Sequence, residues 1–119
     1  MGLRVVVLVF LSLPLIASAH HSHTEFSDEV RELEGELTNF VWRNPHPAMT
    51  LRVVGDGNSD EIWRIQVLSN VNGLSRDGVT GDAFRIGERI RISGYLSMRR
   101  PTVLLATRAR LASGVEIVL

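Results

Sequence analysis

The sequence predicts an all-β domain. Apolar and polar residues alternate with a period of two in several segments of residues 29–119, which is typical of half-buried strands. Turn signals rich in Gly, Asn and Asp separate these segments. Their order is one long bent strand, a hairpin, a helical or irregular connection, and then two or three further strands. This order favours a small five- to six-stranded OB-like Greek-key barrel, and a small open β-sandwich is the second interpretation.

The predicted first strand spans residues 29–43 and changes parity along its length. Three glutamates lie on the face opposite to the apolar residues (Glu32, Glu34 and Glu36 against Leu33, Gly35 and Leu37). Phe40 and Trp42 have the wrong parity for the apolar face, so we predict a bulge near Thr38-Asn39. Gly35 would let the strand bend.

The remaining strands follow from the same alternation. The apolar positions are Met49, Leu51 and Val53 for strand two, Trp63, Ile65 and Val67 for strand three, Ile90, Ile92, Gly94 and Leu96 for strand four, and Val103, Leu105, Thr107, Ala109 and Leu111 for strand five. A turn at residues 55–58 joins strands two and three, and residues 115–119 form a short last strand. Between strands three and four, we expect Asn72-Gly73 to be a turn and Thr80 or Asp82 to cap a short helix through Phe84.

Charge is unevenly distributed along the chain. Residues 20–63 hold three arginines and nine acids, whereas residues 64–119 hold nine arginines and four acids. In the predicted topology strand one lies beside strand four, so the three glutamates of strand one would face Arg89 and Arg91. A polar binding surface is the second explanation.

The N-terminus has the three parts of a signal peptide. Arg4 is followed by an apolar run over residues 5–16 and by the small-residue cleavage pattern Ala17-Ser18-Ala19. We therefore expect a signal peptide at residues 1–19, a polar His-rich leader at residues 20–28 and a single β-barrel domain at residues 29–119. This predicts a periplasmic or secreted protein that leaves the membrane after cleavage. An uncleaved anchor is the alternative, although the run is short for a membrane span.

Composition excludes several kinds of site. The chain has no cysteine, which excludes disulfides, thiolate metal sites and thiol catalysis. It also lacks a GxSxG motif and a spaced carboxylate pair, so we expect no catalytic residues and leave enzymatic activity open. A basic groove with exposed aromatic side chains would indicate nucleic-acid binding, and the candidates for it are Tyr95, Trp42 and Arg99-Arg100. Export and the slight negative charge of the mature chain argue against nucleic acid as a partner.

All four histidines are candidates for metal binding. Cleavage after Ala19 places His20 at the mature terminus, where its α-amine and ring nitrogen chelate one ion together. His46, between Pro45 and Pro47, is the natural third ligand, and a three-nitrogen set of this kind suits copper(II). His21 and His23 are substitute ligands. A terminus at Ala19 or His21 would instead place histidine third in the chain, which creates a chelate that also uses backbone amides.

Simpler explanations exist for the same histidines. A polar leader after a signal peptide is often disordered, and His46 would then only belong to a turn. The sequence therefore leaves three hypotheses: a periplasmic copper-handling protein, a metal-free binding module for an unknown protein or small-molecule partner, and a copper-dependent redox enzyme.

The chain resembles the small secreted bacterial proteins of domain-of-unknown-function family 6152. The matching segments are Ala19-His20-His21-Ser22, Trp42-Arg43-Asn44-Pro45-His46, Asn72-Gly73-Leu74 with Thr80, and Ile86-Gly87-Glu88-Arg89-Ile90. The chain departs from the family pattern at Val71, where the family has proline, and at Ser75-Arg76-Asp77, which replaces a more basic stretch. The resemblance implies a periplasmic location and no established activity.

Overall fold

The computed structural model describes residues 25–119. The predicted signal peptide and three of the four histidines (His20, His21 and His23) lie outside the described residues. The strands are β1 (Phe26–Val41), β2 (Ala48–Val54), β3 (Asp60–Val67), β4 (Arg89–Ser97), β5 (Val103–Arg110) and β6 (Glu116–Val118), and helix α1 (Val71–Arg76) lies between β3 and β4. The all-β prediction with a short helix in this connection is therefore confirmed.

The six strands form one sheet in the order β3-β2-β1-β4-β5-β6. Neighbours in this order run antiparallel. A further, parallel pairing joins β3 to β5, with Arg64 beside Val103 and Val67 beside Ala106. The pairings of β1 to β5 therefore form a closed ring of strands, and β6 is added at the free edge of β5.

The long first strand begins at Phe26, inside the segment that the sequence assigns to the leader. Phe26 pairs with Ser97 at the end of β4, which explains why a polar stretch is drawn into the strand. The predicted bulge is confirmed, because the register with β2 shifts between Leu37 and Asn39. Thr38 lies at the shift and donates its hydroxyl to the Thr50 carbonyl at 3.1 Å.

The bulge lets both halves of β1 contribute to one core. Phe40 and Trp42 pack against the buried residues, and the rings of Phe40 and Phe84 have centroids 4.9 Å apart. The centre of the core is aliphatic and fully enclosed; its members include Leu37, Leu51, Ile65, Ile92 and Leu104. Close strand approach makes glycine necessary at position 35, where a Cβ atom would lie 2.6 Å from the Arg52 carbonyl oxygen.

The helix lies earlier in the chain than the sequence predicts. Asn70 caps α1, because its Oδ1 accepts a hydrogen bond from the Gly73 amide at 2.7 Å, and so Asn72-Gly73 is helical rather than a turn. The expected helix after Thr80 is reduced to one 3-10 turn, Gly81–Ala83, and the Thr80 side chain makes no capping bond. A cap with its own hydrogen bond decides where the helix begins.

The single apolar face predicted for β5 is wrong. Leu104 and Ala106 are buried at the start of the strand, whereas Ala109 is buried further along. The register with β4 shifts between Ser93 and Gly94, so that Gly94 pairs with Ala106 and Ser93 pairs with Arg108. Thr107 is the extra residue of a bulge. Even-numbered residues therefore face the core before Thr107 and odd-numbered residues face it afterwards.

The predicted pairing of the two charged strands is confirmed for Glu34 and Glu36, which lie opposite Arg91 and Arg89, whereas Glu32 lies opposite Ser93. Glu34 lies opposite Arg91 in the antiparallel register of β1 and β4. Its carboxylate accepts hydrogen bonds from Arg89 Nε at 2.6 Å and from an Arg91 guanidinium nitrogen at 2.9 Å. Glu36 instead pairs with Arg52 of β2. The pairing of β1 with β4 therefore matches part of the uneven charge along the chain, whereas the Glu36–Arg52 pair lies within the acidic half.

Candidate functional site

His46 lies in the connection between β1 and β2. The connection runs from Trp42 to Pro47, and its Asn44-Pro45 peptide is cis. Pro47 is fully buried, whereas the His46 side chain is exposed to solvent. The backbone is therefore fixed next to the core while the imidazole stays accessible to a ligand.

The ring of His46 is oriented by one hydrogen bond. Its Nδ1 atom lies 3.0 Å from the carbonyl oxygen of Ser69, which lies in the connection between β3 and α1. A carbonyl oxygen can only accept, so Nδ1 carries the proton and the neutral ring presents an unprotonated Nε2. Metal-binding histidines commonly use this arrangement, in which the second ring nitrogen donates to a carbonyl.

Two connections of the fold are joined at this position. The Val71 amide donates to the Pro45 carbonyl at 3.1 Å, one residue before His46. Ser69 and Asn70, which contact His46 and cap α1 respectively, are adjacent in the chain. The β1–β2 connection and the start of α1 are therefore hydrogen-bonded to each other. These contacts restrict the backbone on either side of His46.

The N-terminal end of the described chain is fixed at a different point, beside the β4–β5 connection. The Met98 amide donates to the Glu25 carbonyl at 2.8 Å. Glu25 Oε1 accepts from Arg100 Nε at 2.5 Å and from Ser97 Oγ at 2.8 Å. These hydrogen bonds, chiefly that of Arg100, lower the pKa of the Glu25 carboxyl. Glu25 thus defines where the leader residues join the sheet.

The structure brings together only part of the predicted metal site. His46 is described, whereas His20, His21 and His23 lie outside residues 25–119. Within that range no three His, Cys, Asp or Glu side chains are grouped as a metal site requires. Sequence reasoning identified His46 but not Ser69, because a backbone acceptor in a distant connection leaves no sequence pattern.

The two tryptophans have structural positions among the described residues. Trp42 packs partly buried against the core and lies close to Gly81, where an added Cβ would be 3.3 Å from the indole. Trp63 also packs on the core and donates its Nε1 hydrogen to Glu61 at 3.1 Å. Both rings therefore contribute to the core.

None of the helices found between residues 25 and 119 is sufficiently long and apolar to cross a membrane.

A comparison with curated proteins finds no match. A family model, described as a family of unknown function (DUF6152), matches residues 8–102. The matched range contains the leader histidines, the connection that carries His46 and helix α1. The chain therefore belongs to the domain-of-unknown-function family 6152.

Proposed function

We propose that this chain is exported, that residues 1–19 are removed, and that the mature protein handles copper(II) in the periplasm. The ligands are the His20 α-amine, the His20 ring and His46, with His21 or His23 as substitutes. The observation that carries this proposal is the contact between His46 Nδ1 and the Ser69 carbonyl at 3.0 Å, since it leaves Nε2 available on a fixed and exposed ring.

The chemistry of these ligands favours copper. An α-amine that titrates near neutrality and two neutral imidazoles provide three nitrogen donors. Copper(II) stands highest among common divalent ions for nitrogen sites of this kind. Because the His46 ring is already oriented, it loses less conformational entropy when it binds a metal ion than a ring on a flexible chain would. This supports a site that combines the leader with the folded domain.

The length of the leader sets a geometric requirement for this ligand set. The leader from His20 to Glu25 spans five positions and reaches up to about 18 Å. Glu25 is fixed beside the β4–β5 connection by its contact with the Met98 amide. A site that combines His20 with His46 therefore requires His46 to lie within about this distance of Glu25.

The finer architecture is part of the same proposal. We infer that the ring of pairings formed by β1–β5 is an OB-like Greek-key barrel. The pairing of β1 with both β2 and β4, the parallel contact of β3 with β5 and the helix between β3 and β4 support this assignment. In such barrels the connections next to the ends of β1 and β4 commonly flank ligands, and these are the places where His46 and Glu25 lie.

The decisive experiment is a copper(II) titration of mature protein with an authentic His20 terminus, followed by electron paramagnetic resonance. We expect one copper per chain and a three-nitrogen signal that is lost when a Met precedes His20. His46→Ala should weaken binding at least about tenfold, the effect of losing one strong ligand. Arg43→Ala, an exposed change in the same connection, is the matched control and should bind as the parent does. Unchanged affinity in His46→Ala would overturn the joint site.

A metal-free binding module is the second candidate, and the edge of β1 favours it. The N-terminal half of β1 pairs with β4, whereas pairing with β2 begins only at Glu36. Within the described residues, the β2-facing edge of residues 26–34 therefore has no partner strand. An extended peptide could add there as a strand. Such binding would be insensitive to copper and to His46→Ala, and Val30→Pro at this edge should abolish it.

A further inference from the structure

The solvent face of β1, β4, β5 and β6 is organised in two parallel rows of side chains. The register places Glu34, Arg91, Arg110 and Glu116 side by side across the four strands. The neighbouring row consists of Glu32, Ser93, Arg108 and Val118. Side chains in the same row and in adjacent rows of one face are close enough to interact.

The first row is saturated by its own ion pairs. Arg91 contacts Glu34 at 2.9 Å, and Arg110 contacts Glu116 at 3.2 Å. Each guanidinium in the middle of the row therefore already has a carboxylate on its outer side. This row needs no external ligand.

The second row leaves one guanidinium without a carboxylate. Glu32 accepts a hydrogen bond from Ser93 Oγ at 3.3 Å, and Ser93 separates it from Arg108. On the other side of Arg108 the register places Val118, whose side chain is apolar and exposed. Among residues 25–119, no Asp or Glu oxygen lies within 4.0 Å of the Arg108 guanidinium.

Arg108 lines a depression in this face. The depression has a volume of about 130 Å³, and Glu32, Arg91, Ser93, Arg110 and Glu116 line it together with Arg108. This volume exceeds what a single water occupies several times over. It is therefore large enough for a small organic anion, and three guanidinium groups contribute to the potential inside it.

We propose that this depression binds a small carboxylate monoanion through Arg108. A guanidinium binds a carboxylate with two parallel hydrogen bonds, which suits a single unpaired arginine. Arg91 and Arg110 keep their internal partners and add favourable potential. Glu32 and Glu116 line the same depression and offset two of the three guanidinium charges, so the net charge of the lining favours an anion only weakly. The site is independent of the copper proposal, because it contains no histidine.

The test is an amide NMR titration of the mature protein with sodium acetate, at constant ionic strength maintained by replacing sodium chloride. We expect saturable shifts centred on Ser93, Arg108 and Ala109, with a dissociation constant on the order of millimolar for so small a ligand. Arg108→Gln should raise that constant at least about tenfold.

The matched control is Arg85→Gln, because Arg85 is also exposed and has no ion pair among the described residues. This variant should titrate with acetate as the parent does, and the undisturbed amide spectra of both variants would verify the fold. The proposal is overturned if shifts grow linearly without saturation or if Arg108→Gln retains the parent affinity. None of these outcomes depends on copper.

Discussion

The imidazole of His46 and the backbone of Ser69 are joined across two connections of the fold, with Nδ1 3.0 Å from the carbonyl oxygen. The two residues are 23 positions apart, so the contact exists only when β2 and β3 have formed their hairpin. It fixes both the direction of the ring and the nitrogen that carries the proton. The one described histidine thus has a defined chemical form before any ligand arrives.

The first prediction concerns this tautomer. In neutral His46 we expect the proton on Nδ1 and a bare Nε2, because only a donor can satisfy the Ser69 carbonyl. Long-range proton–nitrogen NMR of the neutral ring distinguishes the two nitrogens directly. Urea-unfolded protein is the control and should show averaged nitrogens, since the contact is absent. A folded protein with the proton on Nε2 would contradict this account of the site.

The second prediction concerns the cap of α1, which is adjacent to the His46 contact. Asn70→Ala removes the hydrogen bond to the Gly73 amide and should lower the free energy of unfolding by about 1 kcal/mol. It should also shift the His46 ring resonances, because Ser69 precedes the cap. Urea denaturation and NMR measure the two effects.

Asn72→Ala is the matched control for this prediction. Asn72 is exposed inside α1, and alanine favours the helix. Its free energy of unfolding should therefore stay within about 0.5 kcal/mol of the parent. Equal effects of the two substitutions would show that the Asn70 cap does not decide where the helix begins.

The sequence predicted the features that side-chain parity and charge encode. The parity of Phe40 and Trp42 predicted a bulge near Thr38-Asn39, and the register of β1 with β2 shifts between Leu37 and Asn39. The pairing of Glu34 with Arg89 and Arg91 followed from charge and strand order. Both arguments rely on the alternation of side chains between the two faces of a strand, which is a clear sequence signal when one face is polar.

Three features could not be predicted from the sequence: the bulge in β5, the start of α1 and the hydrogen-bond acceptor of His46. In β5, apolar residues stand on both faces from Val103 to Ala106, so alternation could not reveal the shift at Thr107. In the connection after β3, Asn72-Gly73 reads as a turn, and only the hydrogen bond of Asn70 shows that a helix begins before it. The Ser69 acceptor was invisible because backbone carbonyls carry no residue identity.

The third prediction concerns acid stability. Hydrogen bonds from Arg89 and Arg91 lower the pKa of the Glu34 carboxyl in the folded protein below its ordinary value of 4.5. A lowered folded-state pKa stabilises the fold above pH 4.5, and this contribution is lost as the pH falls from 4.5 through the folded-state pKa. The parent should therefore lose thermal stability in that window, and Glu34→Gln should lose less of its own.

Glu32→Gln provides the control for the acid effect. Glu32 lies on the same face of β1 but accepts only from the Ser93 hydroxyl. Its substitution should leave the acid dependence of the melting temperature close to that of the parent. Both carboxylates are exposed, so the differences are small and require melting curves collected at close pH intervals from 7 to 3. An identical acid dependence in Glu34→Gln would exclude the ion pairs as its source.

The last prediction concerns the close contact of β4 and β5 at Gly94. A Cβ atom at this position would overlap the Leu105 carbonyl oxygen and lie 2.7 Å from Leu104 Cδ2. Backbone cannot move aside as a flexible side chain can, and the register shift beside Gly94 keeps the strands close. Gly94→Ala should therefore lower the free energy of unfolding by about 3 kcal/mol, the upper range for overpacking. Ser93→Ala, which removes the exposed 3.3 Å hydrogen bond to Glu32, should stay within about 0.5 kcal/mol of the parent. Urea denaturation of both variants measures the difference, and similar midpoints would mean that β4 and β5 are not held this closely in solution.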